Sequence, residues 1–381
     1  MAADTTVALV PVGTARYTAP GIGDAQSVGR RDMPVHFGVV LPQGFKRDLG
    51  DPADPAARYA TMARVAVEAE RLGYHSAWLS DHLLPEPRPG DAPADDEDAP
   101  VLECWTGLAA LARDTATIRL GALVTNVLLR HPALLAGMAA TVDAASGGRL
   151  DLGLGAGWYE AEARASGYPF PAPAARLARL DEALGVIRAC WAERPTAFAG
   201  RYYRVDAMPS RPRGVQRPHV PLWIGGGGER ATLRLVARHA DACNLIAHDP
   251  ATVARKLAIL REHCAREGRD YATIRKTLQV FVILLAPGEE LDAATRNRGA
   301  VSLDAVRRAN VAGTPAEVAA QLRALLAAGA DYFILYFRTG LADGSALRRF
   351  AAAVMPQFAT TAAPACAVPT AHAGPGDPPS P

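Results

Sequence analysis

Asp81 and His82 close an apolar run, HSAWLSDH (75–82), and form the first place in the chain where side chains could move a proton. Histidine has an ordinary pKa of about 6.5, so both of its states exist near neutrality and it can serve as donor or acceptor. A metal at the same place would need further His or carboxylate ligands from other strand ends; none offers a convincing set, so no metal is expected. The bland alternative is that Asp81 caps a loop and His82 packs. A second stretch, RLDLGLGAGWYEAE (149–162), turns from an apolar run into glycines and an aromatic before an acidic helix begins. Leu150, Leu152 and Leu154 suit a buried strand. Gly153, Gly155 and Gly157 with Ala156 remove side chains where a flat group would approach the backbone, and Trp158 would close one wall. The spacing is GxGxG rather than GxGxxG, and no acidic residue follows at the distance of a ribose contact, so a dinucleotide site is disfavoured. A third stretch, GGGGER (225–230), leaves a strand and opens a helix. Bare amides at Gly225, Gly226, Gly227 and Gly228 would cradle a phosphate, although Glu229 adds a charge that a phosphate does not welcome.

These residues include no covalent catalyst. There is no GxSxG elbow and no pair of carboxylates at strand ends, and of the five cysteines only Cys243 lies near a strand end, in apolar company. A flat-cofactor pocket with one titratable histidine remains, and a redox cofactor would supply the chemistry that the side chains lack.

Positioning such residues takes a large fold. The chain has 381 residues, 49% of them hydrophobic, enough for one large core or two ordinary ones. Its formal charge of +2 is mixed along the sequence, which excludes a nucleic-acid or membrane-surface footprint and leaves small molecules as partners. The cysteines are odd in number and lack CxxC or CxxH spacing, no apolar run approaches a membrane span, and no signal peptide is visible; the expectation is a cytoplasmic enzyme. Strands are expected at 35–41, 75–82, 118–124, 150–155, 221–226, 240–246, 277–285 and 331–337. Helices are expected at 54–72, 102–115, 132–146, 176–193, from 229, and at 250–267, 315–328 and 344–354. Eight strands alternating with helices define an α/β fold, a (β/α)8 TIM barrel, with a small β excursion (196–218) inserted between strands four and five. Residues 1–33 and 357–381 read as a disordered leader and tail, flanking a barrel domain at 34–356, and 83–99 as a lid or a disordered loop. The strand ends carrying Gln43, Asp81, His82, 124–126, 155–158, 225–228, Asn244 and Arg338 then converge on one face.

The stretches FGVVLPQ, AEAERLGYHSAWLSDH, IRLGALVTNVLLRHPALLAGMAATVDAASGGRLDLGLGAGWYEAE, RLDEALGVIRACW, PLWIGGGGERATLRLVARHADACNL and GTPAEVAAQLRALLAAGADYFIL together resemble the luciferase-like oxidoreductases of the bacterial luciferase superfamily, over nearly all of the ordered chain. GGGGERATLRLVARHADACNL with AGWYEAE resembles their coenzyme F420-dependent subgroup. The resemblance implies a deazaflavin, or alternatively FMN, across the barrel mouth. Its contacts would be Asp81, His82, a strand-three bulge at Leu123, Val124 and Thr125 with a non-proline cis peptide near Leu123-Val124, the run Gly155 to Trp158, and Asn244, with Gly225 to Gly228 on the phosphate. It also implies a homodimer through the helix at 132–146. Hydride transfer between F420 and a small organic substrate is the leading expectation, with His82 handling the proton. A reduced-FMN-dependent monooxygenase is the alternative, and a non-catalytic flavin-binding barrel a third. In the F420-dependent sugar-phosphate dehydrogenases that the chain resembles, a tryptophan falls where Glu86 stands and a glutamate where Trp158 stands; both departures argue against sugar-phosphate oxidation.

Overall fold

The computed structural model describes residues 35–49, 54–86, 100–192, 197–207, 214–296 and 301–359. The expected leader, most of the loop at 83–99 and nearly all of the tail lie outside the described residues. Eight parallel strands close into a barrel: β1 (His36–Val40), β2 (Ser76–Leu79), β3 (Arg119–Asn126), β4 (Leu150–Gly155), β5 (Leu222–Gly225), β6 (Ala242–Ile246), β7 (Arg275–Leu284) and β8 (Tyr332–Phe337). Each pairs with the next, β8 returns to β1 but also to β7, and β6 pairs with β7, so the ring has no free edge. Helices cover the outside, as the alternation of elements requires.

Local chemistry sets the element boundaries. Four described helices open on a polar cap followed by proline, at Asp54-Pro55, His131-Pro132, Asp249-Pro250 and Thr314-Pro315, where the cap accepts a first-turn amide and proline forfeits no hydrogen bond. Two end on a left-handed glycine, Gly147 (φ 70°) and Gly268 (φ 67°). The helix expected from residue 229 starts later, at Thr232–His239, because Gly226 (φ 123°) holds the chain in a loop after β5. A short strand, Val311–Gly313, pairs with β7 outside the barrel, and Phe198–Ala199 pairs antiparallel with Arg204–Val205. The 3-10 turn Met355–Phe358 carries described structure past the expected tail boundary, its Phe358 ring 5.4 Å from Phe37.

The barrel interior is plugged below its mouth. Trp78 is fully buried, its ring 4.7 Å from Trp223, which lies 5.6 Å from Tyr332. Such bulk fits because Gly121 lies opposite: a Cβ there would stand 2.2 Å from the Trp78 ring. A ligand therefore reaches the barrel axis from the C-terminal strand ends.

At the other end of the barrel His36 and His75 pack with ring centroids 4.1 Å apart and planes tilted by 34°. Burial lowers both pKa values to about 4, helped for His36 by His75 and Arg275 and for His75 by Arg275 and Arg119. The unfolded chain thus binds more protons than the folded one between pH 6.5 and about 4, so stability from these rings is complete above 6.5 and falls as the pH drops through that window. Denaturant melts at pH 7 and pH 5 should show a smaller acid-induced loss in His75→Gln than in the wild type; an identical loss would remove these rings from the acid response.

Candidate active site

At the mouth, the end of β1 is clamped to the end of β2 by Gln43. Its side chain accepts the Ser80 amide (2.7 Å) and donates to the Ser80 and Leu102 carbonyls (2.8 and 2.6 Å). This brings Phe45 flat against His82, with ring centroids 3.8 Å apart and planes 5° from parallel. Trp158, beyond β4, meets the same imidazole edge-on at 5.6 Å. Tyr159, stacked on Trp158, lies 6.2 Å from the imidazole as well, so His82 is walled by aromatics.

Its Nδ1 lies 3.1 Å from each carboxylate oxygen of Glu162, in the short helix Glu160–Ala165. Oε1 also accepts the Leu83 and Leu84 amides at 2.7 and 3.1 Å. Glu162 is wholly buried, and these donors replace the water it has lost. A carboxylate held by three N–H groups can only accept, so Nδ1 of His82 is the donor and Nε2 carries the lone pair of the neutral ring. Nε2 has no hydrogen bond among the described residues. Sequence reasoning passed over Glu162. The signal was present in AGWYEAE: four positions after Trp158, one turn into an acidic helix, a carboxylate can fold back over the strand end.

Asp81, expected to share the chemistry, is 2% exposed and faces another way. Arg130 grips it with two nitrogens (2.6 and 2.9 Å), and it accepts the Asn126 amide at 2.8 Å. Both oxygens are occupied, and no hydrogen bond joins Asp81 to His82. The pair ties β2 to β3 through a bidentate charge-assisted contact. Arg130 is a second residue the sequence did not single out.

Strand β3 carries the expected irregularity. The Leu123-Val124 peptide is cis, and the register against β4 shifts between Ala122 and Thr125. Val124 then points at the glycines. A Cβ on Gly155 would lie 2.6 Å from Val124 Cγ2, one on Gly225 2.7 Å from Cγ1, and one on Gly153 2.1 Å from the Ala122 carbonyl oxygen. Gly157 (φ 79°) likewise faces Asn126, its Cβ position 2.7 Å from Oδ1. The glycines expected to admit a flat ligand thus first admit side chains of β3; the ligand would meet Val124 rather than bare β4 backbone. Thr125 is buried with its hydroxyl unpaired among the described residues.

The loop after β5 keeps its amides open. Gly226 N–H donates to the Asn244 carbonyl (3.0 Å), whereas those of Gly227 and Gly228 meet no protein acceptor among the described residues. Lys256 donates to the Gly227 carbonyl at 2.5 Å and lies beside this cradle. Glu229, the expected obstacle to a phosphate, is paired with Arg255, whose hydrogen bond holds its carboxyl below the usual range, and it also lies 3.6 Å from the Lys256 ammonium, so a phosphate would share that lysine with it. Asn244 sits beneath the loop, 2% exposed, its amide donating to Thr277 (3.0 Å). Two apolar side chains stand exposed on either side of β5: Trp158 at 56% and Ile246 at 59%. Open amides beside a lysine, between exposed apolar walls, fit a flat ligand that carries a phosphate. His248, two residues past β6, is a second histidine at this face, which sequence reasoning placed only at β2.

A closed (β/α)8 barrel whose polar side chains and glycine loop gather at the C-terminal strand ends has the architecture of a TIM-barrel enzyme. Residues 35–298 match the luciferase-like monooxygenase family. The chain belongs to that family and is an oxidoreductase. It is 30% identical over 253 residues to the F420-dependent glucose-6-phosphate dehydrogenase of Kineococcus radiotolerans, covering 66% of this chain and 72% of that one. Solved structures share the fold. An F420-dependent secondary alcohol dehydrogenase in complex with an F420-acetone adduct superimposes with a TM-score of 0.70 at 19% identity, covering 86% of this chain and all of that one. A riboflavin lyase with modified FMN gives 0.66 at 18% identity, covering 86% and 91%.

The contact between Val124 and the glycines generates a test. Gly155→Ala should cost about 1–3 kcal/mol by overpacking. Adding Val124→Ala should return part of that loss, read as a coupling energy in a denaturation cycle. Additive losses would show that Val124 does not fill the glycine space.

Proposed function

We propose that the chain is an F420-dependent oxidoreductase moving a hydride between the deazaflavin and a small organic substrate. The observation that carries this reading is His82, with Nδ1 locked by Glu162 and Nε2 open at a mouth that also holds the glycine cradle. The F420-dependent relative at 30% identity favours deazaflavin over FMN. Bound deazaflavin supplies hydride chemistry at a ring carbon. The open amides of Gly227 and Gly228, with Lys256, would hold its phosphate, while Val124 and Trp158 would face its ring and Ile246 and Phe45 would keep water out. Asp81 would support the site through Arg130 and Asn126 without touching the reacting atoms. His82 would hold or move the proton at Nε2. Glu86, engaged by Lys46 and Arg47, and the exposed Trp158 argue for a substrate other than a sugar phosphate.

Titrating the purified chain separately with F420 and FMN tests the cofactor. F420 should bind at least about tenfold tighter, a difference of about 1.4 kcal/mol. Gly227→Leu would drive its side chain toward Lys256, whose Nζ is 3.0 Å from the Cβ position, and should lower that affinity in a folded protein. Tighter FMN binding with oxygen consumption would favour the monooxygenase instead.

A stopped-flow record of deazaflavin absorbance tests the histidine. His82→Ala should slow the reaction by about 10²–10⁴-fold with little change in cofactor affinity. Glu162→Gln should slow it less and alter the pH profile, because one amide cannot accept from all three N–H groups. A full-speed His82→Ala enzyme would move the proton's route to water or to the substrate.

A further inference from the structure

The other half of the mouth gathers three nitrogen groups around one ring. Phe281, near the end of β7, has the Arg338 guanidinium carbon 4.1 Å from its centroid, the Lys46 ammonium at 5.5 Å and the His248 ring stacked at 5.5 Å. The Lys46 ammonium also lies 4.9 Å from the centre of Phe45, the ring that stacks on His82, so the cluster is next door to the proposed proton group.

The state of each nitrogen can be read from its contacts. The Phe281 amide donates to His248 Nε2 at 3.0 Å, which makes Nε2 the acceptor and places the ring proton on Nδ1. Nδ1 has no partner among the described residues. Burial first, then the Arg338 charge, bring the pKa of His248 down to about 4, so at neutral pH it is an uncharged donor with a fixed tautomer. Arg338 has one hydrogen bond among the described residues, from Nε to the neutral Asn310 side chain at 3.3 Å.

The carboxylates nearby are already engaged. Asp48 accepts the Gln43 and Gly44 amides (3.0 and 2.7 Å) and the Tyr336 hydroxyl (3.2 Å). Asp343 accepts the amide and hydroxyl of Ser345 (2.9 and 2.8 Å). Glu86 is paired with Lys46. Donor capacity is therefore left over at Arg338 and His248 while the acceptors are spent. Glu86 answers the Lys46 charge, whereas the Arg338 guanidinium meets only a neutral amide, so Arg338 is the cation that an anion would satisfy.

We propose that Arg338, Lys46 and His248 form an oxyanion subsite, and that the substrate is a small organic anion, a carboxylate or a phosphate monoester other than a sugar phosphate, seated with this group on the Phe281 side and the rest of its body toward His82. The subsite rests on the reading of the mouth as the reacting site. Its recognition step is independent of the cofactor.

Benzoate, phenyl phosphate and neutral benzamide, titrated by ligand-observed NMR into the full-length chain without cofactor, provide the test. At least one of the two anions should bind about tenfold or more tighter than benzamide, the scale expected when charged hydrogen bonds are gained. The tighter of them names the oxyanion class. Arg338→Met and Lys46→Met should each lose about tenfold in anion affinity, and Arg338→Lys should retain more than Arg338→Met. Benzamide binding as tightly as both anions would overturn the proposal without any variant. So would unchanged anion affinity in folded Arg338→Met and Lys46→Met proteins. Failure of F420 to bind in the separate titration would leave these results standing.

Discussion

A carboxylate with no exposure to water must be repaid by protein donors, and the mouth of this barrel is arranged around one such debt. Glu162 accepts Nδ1 of His82 and the next two backbone amides, Leu83 and Leu84. The three donors come from consecutive residues beyond β2, whereas the acceptor comes from the helix beyond β4, with β3 lying between them in the sheet. One buried charge thus fixes where the β2 loop leaves the barrel, how the imidazole is turned and which nitrogen faces the mouth. Removing it would strand three donors at once, each at a cost of about 1–3 kcal/mol if left buried and unpaired.

Around that anchor, neighbouring strands are locked by a few long-range contacts. Asp81 and Arg130 join β2 to the segment after β3, and Gln43 joins β1 to β2. Val124 packs into space left by glycines of β4 and β5. These residues give the mouth its shape, which is how a barrel can keep a rigid floor while its loops vary.

The architecture was legible because barrel strands are buried on both faces and announce themselves as short apolar runs between capped helices; the helices at Pro132–Ser146 and Pro250–Glu267 coincide with their sequence expectation. His82 and the glycine loop after β5 could be singled out because their residue types have few structural uses at a strand end. What escaped was pairing. Nothing in the local sequence around Glu162 or Arg130 says which distant donor or carboxylate it will meet, since closing the barrel creates those contacts. Asp81 was drawn toward chemistry by its neighbour for the same reason: the two residues lie in the loop beyond β2, where distant partners set each side chain's direction, Arg130 for Asp81 and Glu162 for His82. The glycines were noticed for the room they make, but the side chains that take up part of it belong to β3.

The two histidines of the mouth show how one fold gives the same side chain different work. His82 donates from Nδ1 to a carboxylate and presents Nε2 as an acceptor. His248 accepts an amide at Nε2 and presents Nδ1–H, its ring kept uncharged by burial first and then by the neighbouring guanidinium. One offers a lone pair and the other a proton it does not readily exchange. A substrate lying between them would meet a group suited to proton transfer at one end and a group suited to holding negative charge at the other. The glycine cradle after β5 occupies the remaining arc. Because each arc is set by a different pair of strands, the proposed roles in cofactor binding, proton handling and substrate orientation would be separable by mutation, and the contacts made by the backbone, in the cradle and at Nε2 of His248, are the ones a point mutation reaches least easily.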